Sequence, residues 1–281
     1  MVLSTRSSTE DVYIVVLDHE GDFVRALLFD SEARRVEGYS AQLPRRVDAE
    51  LDCLDEMHRL VQAAEFRVGA VAGKAESEVT AEDRAAWPAF NGAAWFPALP
   101  PGANLILGCG GVGPERFALV IGAVSVMGTV GKRAAEGLDC AEIGIDRWIL
   151  SGAVPEAGGV YGSIKQGVKG RTVNEFLETA AAGDALVAPL DAVARQFREV
   201  FEKLAGAVGR PREVVGCGAA LLKSPAFAQR IADAVGAPLI LSTEPEPSCR
   251  GAALMALERI GAIDSLHRLP ASIVGAAGGL T

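Results

Sequence analysis

Histidine is almost missing from this chain, with three in 281 residues. So few imidazoles exclude a metal centre built on histidine. Cysteine offers no replacement. Cys53, Cys109, Cys140, Cys217 and Cys249 are odd in number and widely spaced, without a C-x-x-C pair. That pattern predicts buried free thiols in a reducing cytoplasm rather than a disulfide framework or a zinc site. No basic, apolar leader opens the sequence. The longest weakly polar run, Phe117 to Gly131, is too short and too rich in glycine to span a bilayer. Positive charge is also in deficit, with 27 Lys and Arg against 36 Asp and Glu and a net charge of −9. This balance argues against nucleic acid and anionic membranes as partners. Anionic small ligands stay open, because backbone amides alone can make a phosphate site.

The chain is long enough for a sizeable core in one or two domains, and 49% of it is hydrophobic. Val12–Leu17, Phe23–Asp30 and Val36–Leu43 read as successive strands. Leu51, Leu54, Met57 and Val61 then fall at helical spacing within a helix over Asp48–Ala63, and Val68–Ala72 reads as a fourth strand. A second series begins after Pro101, with strands at Phe117–Ala123, Val126–Val130 and Leu138–Ile143 and a further short one at Trp148–Leu150. Leu190, Val193, Ala194, Phe197, Val200, Phe201 and Leu204 give the strongest helical periodicity, and that helix should pack on strands at Val214–Val215 and Leu239–Leu241. The expected fold is a mixed α/β architecture of two related units, residues 1–101 with a connector over Thr80–Pro101, and residues 102–281.

The most informative segment is Val214 to Leu257. Gly216 and Gly218 follow a β-branched pair, where bare backbone could approach a flat ligand. Ser224-Pro225 has the form of a helix N-cap with proline at the first position. Ser248 opens a last helix that Gly261 stops. The segment resembles the adenosine-binding end of the FGGY carbohydrate kinases, especially the gluconokinase-like and xylulokinase-like branch, through its Gly-x-Gly-Ala turn and its EPEPSCRGAALMA run. Tyr13–Asp30 resembles the opening phosphate hairpin of that family through Asp18, Arg25, Ala26, Phe29 and Asp30. Trp87–Ser125 and Gly137–Tyr161 resemble its next blocks, in the same order.

The resemblance implies an actin-like, ribonuclease H-like fold and ATP-dependent phosphorylation of a sugar, polyol or sugar acid. It implies Asp18 as the organiser of Mg-ATP and the metal-binding residue. Gly122 and Ser125 would hold phosphates, and Gly216, Gly218, Ala219, Ser248 and Arg250 would form the adenosine shelf. The departures are equally specific. The family's Trp-x-Asp-x-Arg stretch, between Gly73 and Trp87, and its Gly-Glu-Arg stretch, between Tyr161 and Leu190, are both missing. Glu20 and Asp22 bring carboxylates to the phosphate hairpin. Pro101 stands where the family has its general-base aspartate, so no catalytic residue is assigned.

Several readings stay open on the sequence. The expectation is a degenerate, pseudokinase-like copy that binds ATP or ADP with magnesium weakly and transfers little or no phosphate. It would be cytoplasmic, and its protein partner would be a second copy of itself or a full-length sugar kinase. A minimal active kinase completed by another subunit, or by Asp184 or Glu156, is the alternative. A third is an NAD-dependent oxidoreductase using G-x-G-x-x-G at Gly108–Gly113. A calcium-type site at Asp18, Glu20 and Asp22 is a minor reading beside a solvated acidic turn, and Gly158 and Gly159 are expected in a turn before a helix.

Overall fold

The computed structural model describes residues 12–181 and 184–268. It divides into two compact units. One holds the described residues up to Ala98 together with Ala252 to Arg268; the other runs from Leu99 to Gly251.

The first unit opens with β1 (Val12–Glu20), β2 (Phe23–Phe29) and β3 (Arg35–Pro44), followed by α1 (Ala49–Ala63) and β4 (Arg67–Ala72). β1, β2 and β3 form an antiparallel meander, and β4 returns parallel to β1. The β1–β2 register sets Asp18 opposite Arg25 and Leu17 opposite Ala26. α1 buries Leu54, Met57 and Val61 of the face expected from its periodicity, with Cys53 beside them and Leu51 only half-buried. The stretch expected as a connector has structure of its own: α2 (Ala81–Ala86) and β5 (Ala94–Phe96), which adds a fifth strand parallel to β4. Apolar burial draws it in. Trp87, Phe90 and Trp95 are buried, and the rings of Trp87 and Trp95 stack with centroids 6.1 Å apart. The strand order is β3-β2-β1-β4-β5.

The second unit begins with α3 (Pro101–Gly108), then β6 (Arg116–Val120), β7 (Val126–Gly131), β8 (Asp139–Gly144) and β9 (Arg147–Ala153). The helices α4 (Ala157–Gly167), α5 (Val173–Thr179) and α6 (Ala188–Val208) follow. β10 (Glu213–Cys217), α7 (Ala219–Lys223), α8 (Pro225–Val235) and β11 (Leu239–Leu241) come next, and of α9 (Pro247–Arg259) the residues to Gly251 belong to this unit and the rest to the first. The strand order is β11-β10-β6-β7-β9-β8.

The structure settles a strand order that the sequence left unstated. The strand beside β7 is β9, whereas β8 lies outside it at the edge. Burial explains the order. β9 carries Ile149 and Leu150 at 1% exposure each, while Asp139 and Glu142 of β8 suit an edge open to water. With β9 as third strand, β9-β7-β6-β10-β11 reproduces β3-β2-β1-β4-β5 of the first unit, so the two units share one topology. α6 buries all seven of the apolar positions read from its periodicity. Ser224 caps α8 by accepting a hydrogen bond from the Phe227 amide.

Candidate functional site

Of the residues expected to form an adenosine shelf, Gly216, Gly218 and Ala219 lie at the C-terminal end of β10, which runs parallel between β6 and β11. The C-terminal ends of parallel strands are where open α/β sheets receive ligands. Gly216 is buried, and a Cβ there would meet Leu221, Leu239 and Leu241 at 3.0, 3.0 and 3.3 Å. Its first role is therefore packing between sheet and helix. Gly218 is different. It has φ +121°, and a Cβ would come closer than 3.0 Å to the Ile121 carbonyl oxygen. Only glycine makes this turn, which passes directly into α7. Gly218 is half-buried and Ala219 exposed, so the reachable surface here is bare backbone and one methyl group.

α9 starts at Pro247, one residue before the expected Ser248, which sits half-buried in its first turn. Two glycines let α9 approach α3. A Cβ on Gly251 would overlap the Asn104 carbonyl oxygen, and one on Gly108 would overlap that of Pro247. Arg250 is only 3% exposed. Its guanidinium donates to the Gly108 carbonyl at 2.8 Å and pairs with Glu244 at 3.4 Å. Burial pulls its pKa below the ordinary arginine value, against the opposing pull of Glu244. Arg250 is thus held inside the unit by both partners. Beside this pair the Cys109 thiol donates a hydrogen bond to Cys217, and that bond together with burial pushes the Cys109 thiol well up. Sequence reasoning missed the Arg250–Glu244 pair and the thiol contact. Their only signal was the Arg-Gly-Ala-Ala run, which does not show its partners.

Gly122 and Ser125 form the tight turn between β6 and β7. The Ser125 hydroxyl accepts from the Gly122 amide at 3.3 Å and donates to the Gly122 carbonyl at 3.2 Å, and Ser125 is 2% exposed. Gly158 and Gly159 lie inside α4 rather than before it. A Cβ on Gly158 would come closer than 3.0 Å to the Gly122 carbonyl oxygen, so α4 closes over this turn. The helix extends to Ala157 because nothing in a glycine pair forbids helical backbone when packing supports it.

Asp18 belongs to the first unit and the shelf residues to the second. Its Oδ2 accepts from Nε and Nη2 of Arg25 at 3.1 and 3.0 Å, with Arg25 9% exposed. A magnesium ion would compete with that guanidinium for the carboxylate. Among the described residues no group of three His, Cys, Asp or Glu side chains is placed to hold a metal, and no helix is long and apolar enough to cross a membrane.

Pro101 begins α3, whose sequence PGANLILG carries no acid. Asn104, one turn on, has a buried Oδ1 without a hydrogen-bond partner. The glycine run Gly108–Gly113 follows helix α3 and leads into strand β6. A dinucleotide fingerprint needs the reverse order, strand then helix, which overturns the oxidoreductase reading of that motif.

Comparison with known proteins gives three kinds of result. Residues 154–258 match the family described as "FGGY family of carbohydrate kinases, C-terminal domain". No curated protein matches the sequence. Among solved structures, the gluconate kinase of Lactobacillus acidophilus is similar at 12% identity and a TM-score of 0.70, over 94% of this chain and 93% of that one. The glycerol kinase of Plasmodium falciparum, solved with ADP, is similar at 9% identity and a TM-score of 0.67, over 93% of each chain. A ROK hexokinase from Thermus thermophilus is similar at 17% identity and a TM-score of 0.56, over 89% of this chain and 99% of that one. At these identities the structural likeness is one of fold: the mixed α/β, two-sheet, actin-like architecture.

Proposed function

We propose that this chain, whose residues 154–258 match the C-terminal domain of the FGGY carbohydrate kinases, binds adenine nucleotide on its second unit and transfers phosphate poorly or not at all. The observation that carries the reading is the Gly218 turn, which leaves backbone and the Ala219 methyl exposed at the end of a parallel strand. Ser248, in the first turn of α9, completes the proposed shelf, with Gly216 and Arg250 supporting it from within.

Support for weak transfer comes from the chemistry of the remaining positions. In phosphoryl transfer the protein chiefly positions groups and stabilises charge. The Ser125 hydroxyl already holds its own turn, so a phosphate at Gly122 would have to displace those bonds. Magnesium, when bound with the nucleotide, neutralises phosphate charge, and Asp18 would hold it in competition with Arg25. A proline at position 101 cannot accept the proton of an attacking hydroxyl, and a positioned acid–base group is worth about 10²–10⁴-fold. We place the protein in the cytoplasm, with a second copy or a full-length sugar kinase as its partner.

Calorimetry tests the binding: adenosine and AMP should compete nearly as well as ATP. An ATP affinity more than about a hundredfold tighter than that of adenosine would show working phosphate sites. ADP release with gluconate, xylulose, ribulose or glycerol should stay at background, and robust turnover on any of them would establish an active kinase.

A further inference from the structure

Two of the five cysteines meet inside the second unit, at the root of the Gly218 turn. Cys109 caps the C-terminal end of α3, and Cys217 is the last residue of β10, directly before Gly218. They are 0% and 2% exposed, and the Cys109 thiol donates to the Cys217 sulfur. The other cysteines are placed differently. Cys53 is buried in the first unit, where its thiol donates to the Val24 carbonyl at 3.4 Å. Cys140, the most open of the five, is half-buried and bonds the backbone of Ala135 and Leu138. Cys249 is buried in α9.

The two members of the pair are unequal. The hydrogen bond from Cys109 holds the Cys217 thiol below its ordinary pKa, helped by the Gly218 amide and opposed by burial and by Glu244. The thiolate is the nucleophile, so Cys217 attacks first, and the protonated Cys109, already in contact, follows. Burial excludes a bulky oxidant, but hydrogen peroxide is little larger than water. Gly218 is half-buried and Ala219 exposed, so the Cys217 sulfur belongs to the residue just beneath the surface turn.

The oxidation balances with peroxide alone. The Cys217 thiolate attacks one peroxide oxygen, the O–O bond breaks, and a sulfenic acid forms as hydroxide leaves. The Cys109 sulfur then displaces the hydroxyl of that sulfenic acid, the S–S bond forms, and the thiol proton leaves with the hydroxyl as water. The hydroxide takes the proton that Cys217 had lost. Two thiols give up two electrons and two protons, and one peroxide becomes two waters.

Closing this bond must move backbone. Bonded sulfurs sit about 2.05 Å apart, well inside hydrogen-bond contact. Cys109 is tied to its helix by the bond from its amide to the Leu105 carbonyl at 3.0 Å. The Cys217 carbonyl accepts from the Ile121 amide at 2.9 Å, and Gly218 lies against the Ile121 carbonyl without room for a Cβ. The strain of closure therefore falls on a turn that has no slack, and the Gly218 amide loses the sulfur anion it stabilised.

We propose that Cys109 and Cys217 are a peroxide-sensitive dithiol whose reversible disulfide reshapes the Gly218 turn and weakens binding on the shelf. The effect on binding rests on the nucleotide reading above; the disulfide does not. A cytoplasmic disulfide of this kind is transient and redox-sensing, and a dithiol reductant reverses it.

The test starts from the reduced full chain, treated with a small excess of hydrogen peroxide, blocked at its remaining thiols and mapped by peptide mass. The expected product joins the Cys109 and Cys217 peptides, has lost two hydrogens, and reverts with dithiothreitol. Cys109→Ala should stop at a Cys217 sulfenic acid that dimedone traps, and Cys217→Ala should leave Cys109 a thiol. Amide hydrogen exchange over residues 216–223 should change on oxidation of the parent and return on reduction. Adenosine should bind the oxidised chain about fivefold or more weakly than the reduced one. The parent's peptide map and exchange carry the test if either variant fails to fold. The proposal is overturned if peroxide leaves both thiols intact, if it oxidises Cys140 or pairs Cys249 first, or if the disulfide leaves exchange in that segment unchanged. Adenosine that binds both states equally also overturns it. Adenosine that binds neither state, with the disulfide and the exchange change intact, removes the nucleotide reading and leaves the redox turn.

Discussion

Gly73 and Gly218 are counterparts in the two units. Each ends the strand parallel to its unit's first strand, β4 beside β1 and β10 beside β6. Each has strongly positive φ, +102° and +121°, and each would drive a Cβ into a carbonyl on the neighbouring strand, that of Leu17 or Ile121. The same steric demand has been kept twice, which is what a duplicated unit would retain where strand and following loop meet.

Gly218→Ala combines a left-handed backbone with overlap against a carbonyl that cannot move freely. It should cost more than about 3 kcal/mol and so lose most of the folded protein. Gly73→Ala should act alike. Gly21→Asn, at φ +56° with nothing within 4 Å of a Cβ, should cost less than about 1 kcal/mol. Urea denaturation of the three variants measures the contrast, and a stable Gly218→Ala would remove the steric account of the turn.

Arg25→Met should destabilise the first unit by about 2–3 kcal/mol, because it leaves the half-buried Asp18 carboxylate without its guanidinium. The double variant Arg25→Met, Asp18→Asn should recover part of that loss. Denaturant midpoints for the cycle give the coupling, and strict additivity would show that the pair is not an energetic unit.

His58 supplies a pH test. Burial lowers its pKa below 6.5, with Asp55 opposing and Arg59 adding to the shift. Its Nδ1 accepts a hydrogen bond from the Ala89 amide at 3.3 Å, which requires that nitrogen to be unprotonated. The unfolded chain takes up the proton first as pH falls. Stability from this group is therefore complete above about 6.5 and declines as pH drops from there towards the lower folded-state pKa. His58→Asn keeps an acceptor without the titration, so thermal unfolding between pH 7 and 5 should be flatter in the variant than in the parent.

Arg250→Met should cost about 3–5 kcal/mol, since it strands the buried Glu244 carboxylate and releases the Gly108 carbonyl. Pairing it with Glu244→Gln should restore part of the loss. If Arg250→Met is instead fully stable but loses adenosine, Arg250 touches ligand directly rather than framing the shelf.

The order of elements was legible in the sequence because periodicity is a local property. The seven apolar positions of α6, the Ser224-Pro225 cap and the apolar runs in β1 and β2 each carry their own signal within a few residues. The sheet positions of β8 and β9 were not legible, because two adjacent short strands differ only in which one a neighbour buries. The Thr80–Pro101 stretch read as a connector because the polar helix α2 hides the three residues of β5, and only Trp87 and Trp95 together make it part of the sheet.

The candidate site divides in the same way. The sequence by itself determined that glycine stands at 216 and 218, that proline stands at 101, and that carboxylates stand at 18, 20 and 22, and these identities fix which chemistry each position can offer. Only the tertiary structure decided that Gly216 packs while Gly218 turns, that Arg250 faces Glu244, and that Ser125 bonds its own turn. It alone brought Lys74 to Glu50 from 24 residues away. The reason is physical: donor and acceptor types are written in each side chain, but burial and partners are set by chain segments that meet only when the sheets form.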